Sequence, residues 1–181
     1  MSDRVQPWAR GASSSSHVAV GRVVLPLLAA VMVGLAVAVL LPAEPAAWSL
    51  VSPAAVAAAF AAGQLWVVAH NTAPTELGEE PIGYLFGLAN AITELRSGLY
   101  GVVAGLAVAA PTAAVAWLPG LCYGVGVALD KLDGTIARTV GRETDLGERL
   151  DMTVDTAGFV AAPVVAVLWG LLPWWYLSLS A

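Results

Sequence analysis

The segment Asp130–Asp155, DKLDGTIARTVGRETDLGERLDMTVD, sets four carboxylates at spacings that suit two helices facing one another. Asp130 and Asp133 stand at i,i+3 and share one helix face; Asp151 and Asp155 stand at i,i+4 and share a face of a second helix. Bringing the two faces together gathers four like charges into one small volume. Such a cluster stays ionised only if cations neutralise it. Hard divalent cations with oxygen ligands meet that need, so Mg²⁺ or Mn²⁺ is expected on Asp130, Asp133, Asp151 and Asp155, as two ions. Gly134, Ala137 and Gly147 remove side-chain bulk beside the cluster, which lets a nucleotide come close to the backbone. Arg138 offers a planar fork suited to a phosphate.

The surroundings of this segment are apolar. The chain is 59% hydrophobic and 12% charged, with a mean hydropathy of +0.78. A soluble domain carries about twice that charged fraction, so an integral membrane protein is expected. Charge inside such a chain is expensive and is kept for function. The net charge of −5 gives no basic surface, and no nucleic-acid partner is expected. Cys122 is the only cysteine, which excludes an intrachain disulfide and fits buried packing. His17 and His70 read as a tail residue and a helix-end residue, not as metal ligands.

A membrane helix needs about 20 mostly apolar residues. The expected spans are Val23–Leu41, Trp48–Ala69 with Pro53 near its start, Ser97–Ala110, Ala113–Thr139 with a kink at Pro119-Gly120, and Leu146–Leu172. An amphipathic stretch, Ile82–Arg96, feeds the third span, whose Gly101 and Gly105 form a GxxxG step for close helix packing. Trp174, Trp175 and Tyr176 form an interfacial aromatic belt. The division is a polar, disordered tail (1–22), two apolar helices (23–70), an acidic connection (71–81) and a domain carrying the aspartates (82–181). All eight basic residues fall on one side of this five-span scheme. The positive-inside rule then makes the N-terminus and the aspartates cytoplasmic.

The fixed positions D-x2-D-G-x2-A-R-x8-G-x3-D-x3-D resemble the signature of the CDP-alcohol phosphotransferase family at every position. LANAITELRSGLYG, from Leu88, resembles that family's N-x-x-T-x-x-R segment. The resemblance implies an all-α, polytopic transmembrane bundle. It implies phospholipid biosynthesis at the plasma membrane: a phosphatidyl-type or archaetidyl-type group passes from a CDP-activated lipid to a small polar alcohol, with release of CMP. Asp155 is then the general base as well as a metal ligand. Gly134, Ala137, Arg138 and Gly147 shape the cytidine diphosphate site, and Asn90, Thr93 and Arg96 help hold nucleotide or phosphates. A homodimer is left open by the same resemblance. The acceptor stays open among glycerol phosphate, serine and an inositol phosphate. The family core has six membrane helices, and the resemblance here runs through the third, so a truncated core is expected. The two helices before it are an addition with no assigned chemistry. The alternative to an enzyme is a non-catalytic or truncated membrane subunit that keeps the metal–nucleotide site.

Overall fold

The computed structural model describes residues 7–71, 88–140 and 145–179; within these, the side chains of 7–22, 25, 88–91, 133–140 and 145–147 lie outside the description. Among the described residues the chain is helical and contains no strand. Five α-helices follow in order: α1 (Pro7–Leu40), α2 (Pro53–Asn71), α3 (Leu88–Leu106), α4 (Leu118–Val140) and α5 (Asp145–Leu168). A 3₁₀ turn, Trp174–Leu179, ends the described chain. The acidic connection 71–81 lies almost wholly outside the described residues.

Several boundaries differ from those expected, each for a local reason. α1 begins at Pro7, inside the stretch expected to be a disordered tail. Once the apolar part of a helix has formed, each further residue adds one hydrogen bond at little cost, so it extends through Ser13–Ser16. Pro7 suits a first helical position because its missing N–H needs no partner there. α2 starts at Pro53, not Trp48. Ser52 caps it, its Oγ accepting from the Ala55 N–H at 3.2 Å, and Pro53 takes the first helical position. The amphipathic stretch and the third span are one helix, α3, which stops at Leu106. Residues 113–117 form turns, so α4 starts at Leu118 and Pro119 sits in its first turn, where no kink arises. α5 ends at Leu168 because Gly170 adopts φ 71°. The Leu171 N–H bonds the Ala166 carbonyl and the Gly170 N–H bonds the Val167 carbonyl. These two bonds make a Schellman cap, which needs a residue without Cβ at the left-handed position.

α3 is the central element and packs against the other four helices. Its GxxxG step works as the spacing predicts. A Cβ at Gly105 would lie 2.6 Å from the Pro53 carbonyl oxygen and 2.9 Å from Ala57 Cβ; one at Gly101 would lie 3.1 Å from Val33 and 3.3 Å from the Ala57 oxygen. Gly34 on α1 meets Ala58 in the same way, at 2.9 Å. The N-terminal pair is thus joined to the core by backbone-close contacts. At the far end of α3 the Trp169 Nε1–H is shared between the Leu106 and Ala109 carbonyls, at 3.1 Å each. The loop after α1 pairs with the end of α3 through Ala46 N–H to Val108 O and Ala110 N–H to Glu44 O. Cys122 is buried with Val103, Ala107, Ala161 and Val165, as packing. His70 lies in the last turn of α2, its Nδ1 paired with the Trp66 carbonyl.

Two described segments, Pro53–Asn71 and Glu148–Leu168, are long and apolar enough to cross a membrane; the apolar part of α1, Pro26–Leu40, is shorter. α1 exposes Leu27, Val31, Met32, Leu35 and Val39. A contiguous apolar face of this kind marks a surface that meets lipid or another protein. Trp174 and Trp175 are exposed as well.

Candidate active site

Three of the four aspartates converge. Asp130 on α4 and Asp151 and Asp155 on α5 each offer one oxygen, and these oxygens lie within 4.8 Å of one another. The i,i+4 spacing on α5 puts its two carboxylates on one face, as the sequence suggests, and α4 supplies the third. Asp133, Gly134, Ala137, Arg138, Gly147 and Asn90 lie on described helices, but their side chains lie outside the description. Thr93 is buried on α3, one turn before Arg96.

The centre of the cluster is Arg96, whose side chain is 0% exposed. Its Nη1 is 2.5 Å from Asp151. Its Nη2 is 3.1 Å from Asp130 and bonds Asp155 as well. The carboxylates themselves are about two-fifths exposed. Two unit charges about 5 Å apart repel by roughly 3 kcal/mol at an effective dielectric near 20, so three bare carboxylates need a counter-charge. Arg96 supplies one. The family resemblance assigns this guanidinium to nucleotide or phosphates; in the structure the same nitrogens are held by the aspartates.

A divalent cation fits this donor set. Three carboxylates against one guanidinium leave two negative charges in excess, which is the charge of one such ion. All three donors are hard oxygens, and all are partly open to solvent.

Sequence reasoning did not identify the bracing around the cluster. Gln64 on α2 is buried, and its Nε2 donates to the Ser97 carbonyl, the residue after Arg96, at 3.5 Å. Arg149 Nη1, two residues before Asp151, bonds the Asn71 carbonyl at the end of α2. Such an end has carbonyls without helical partners, and a cation satisfies them well. The helix pair without assigned chemistry therefore touches the residues flanking the site. Tyr100, one turn after Arg96, is 3% exposed. The usable sequence signal was its i,i+4 distance from Arg96.

The family model for CDP-alcohol phosphatidyltransferase matches residues 86–181, more than half of the chain, and the chain belongs to that family. It is also similar to curated relatives named "putative cardiolipin synthase" from Mycobacterium bovis and Mycobacterium tuberculosis. The identity is 43% over 47 residues, covering 26% of this chain and 22% of each relative. The chain thus spans about a fifth of those relatives' length in the match. No solved structure matches it.

Proposed function

We propose that this chain carries out phospholipid synthesis: it transfers a phosphatidyl-type or archaetidyl-type group from a CDP-activated lipid to an alcohol and releases CMP. The observation that carries this is the convergence of Asp130, Asp151 and Asp155 from two helices of the family-matched region. These residues, with Asp133, would hold Mg²⁺ or Mn²⁺; bound there, the metal supplies the positive charge that a diphosphate and its CMP leaving group require. Asp155 takes the proton of the acceptor hydroxyl. The acceptor oxygen forms a bond to the phosphorus bearing the lipid as the bond from that phosphorus to the CMP oxygen breaks. Arg96 fixes the orientation of Asp151 and Asp155 through its two nitrogens. Gly134, Ala137, Arg138 and Gly147 form the cytidine diphosphate site, and Asn90 and Thr93 help hold nucleotide or phosphates. The relatives named "putative cardiolipin synthase" support phospholipid biosynthesis in general, and the acceptor stays open among glycerol phosphate, serine and an inositol phosphate.

The test is CMP release from a CDP-lipid with each acceptor, with and without chelator. Metal-dependent release with one acceptor supports the proposal. No release from this chain, or from a longer product containing it, with any acceptor and Mg²⁺ or Mn²⁺ present would refute it. The site is further proposed to face the cytoplasm at the plasma membrane, because all eight basic residues fall on one side of the five-span scheme. Thr144→Cys should resist an impermeant thiol reagent in sealed cells; ready labelling reverses the orientation.

A further inference from the structure

The carboxylate layer stands on a second layer with a regular relation to it. On α3, Tyr100 follows Arg96 by four residues. On α4, Gly126 precedes Asp130 by four. On α5, Gly158 follows Asp155 by three. All three spacings put the second residue one turn along the same face. The buried phenol ring of Tyr100 lies between the two glycines. A Cβ at Gly126 would lie 2.6 Å from its Cε1, and one at Gly158 would lie 2.6 Å from its Cε2. These atoms are on opposite edges of the ring, so α4 and α5 touch it from both sides with backbone and leave no room for a methyl group. α4 and α5 have little direct contact with each other. What spaces them at this level is the ring. Tyr123 packs on it at a centroid distance of 5.9 Å.

We propose that Tyr100 is a positioning residue for the transfer reaction. Its ring sets the separation of α4 from α5, and hence of Asp130 from Asp151 and Asp155. The proposal rests on the functional reading above, in which those carboxylates hold a divalent cation. Ordinary core packing would require an apolar side chain here, but not a glycine on each of two other helices against opposite edges of one ring. Metal ligands tolerate displacement poorly, and residues supporting them typically matter by 10- to 100-fold in affinity.

The test is Mn²⁺ binding to the full chain, read from loss of the free-ion paramagnetic resonance signal, alongside thermal unfolding of the same samples. Tyr100→Leu removes the spacer, and Gly158→Ala adds a methyl group to it. Each is expected to weaken Mn²⁺ by about tenfold. The double variant should recover most of that loss, because the smaller side chain makes room for the new methyl group. Tyr100→Phe keeps the ring and the fold. It should bind Mn²⁺ like the parent chain, because the ring that sets the spacing is unchanged. If Tyr100→Leu fails to fold, Gly158→Ala still decides. A Tyr100→Leu or Gly158→Ala chain that melts earlier yet binds Mn²⁺ like the parent would overturn the positioning role and leave the functional reading standing. A parent chain that binds no Mn²⁺ would remove both, starting with the carboxylate site itself.

Discussion

The α1–α2 pair and the α3–α5 core are built from the same kind of apolar helical sequence and do different things with it. The first pair is held by absence of bulk: Gly34 against Ala58, and Ala57 against Gly101 and Gly105. Described polar links join it to the core at both ends: through Gln64 and Asn71 at the site end, and through the loop after α1 to Val108 and Ala110 at the other. The core spends its glycines differently, on clamping one ring at Gly126 and Gly158. Above that ring it collects charge around Arg96. Small residues bring helices together in both regions, but only in the core does the close approach carry ionised groups with it. Hydrophobicity alone therefore marks where such a chain resides, and the spacing of its few charges marks what it does.

The sharpest test of that division is Asp155→Asn. A base acts on the acceptor in the transition state, so turnover should fall by about 10³-fold while CDP-lipid affinity stays near that of the parent. Full turnover in this variant would show that the core's charges do not perform the chemistry.

Arg96→Ala should come next. It leaves three carboxylates without their internal cation, which is expected to cost on the order of 2–3 kcal/mol of stability. Added Mg²⁺ should restore more melting temperature in this variant than in the parent, because the ion replaces the missing charge. Equal stabilisation of both by Mg²⁺ would argue that metal and guanidinium do not share the cluster.

Gly105→Ala probes the other region and should have the smallest effect on chemistry. Its methyl group would meet the Pro53 carbonyl at 2.6 Å, so α2 must back away. A cost of about 1–3 kcal/mol in unfolding is expected, with turnover of the folded fraction lowered by less than about threefold. A loss of turnover as deep as that of Asp155→Asn would erase the comparison and make the helix pair part of the catalytic machinery.

What was legible in the sequence follows from how local each signal is. The facing of Asp151 and Asp155 needs only the pitch of one helix, and it was read correctly. Gly101 and Gly105 gave their packing role by the same means. The position of Arg96 needed more, since its partners Asp151 and Asp155 lie 55 and 59 residues further along the chain. Nothing in a linear pattern records that three helices meet at that point. The slot at Gly126 and Gly158 is equally invisible until the helices assemble, because each glycine alone resembles a generic small residue. The start of α2 was readable but was missed. Ser52-Pro53 is a helix-start signal, and a purely hydropathic boundary overrode it by including Trp48. Pro119 was read as a kink for the same reason, though a proline near a helix start is among the least disruptive places for one.

The shared hydrogen bond of Trp169 sits at the end of the bundle opposite the aspartates. It ties α5 to the last carbonyls of α3, whereas the site end is joined through charged side chains. Asp155 and Trp169 are separated by about 21 Å of helix at 1.5 Å per residue. The two helices therefore resemble tongs with the indole as their rivet: a tilt of about 3° at the rivet moves the carboxylates by about 1 Å. That distance is comparable to the misplacement that costs an enzyme about a hundredfold in rate, so the precision of the charged end depends on an indole more than a dozen residues away.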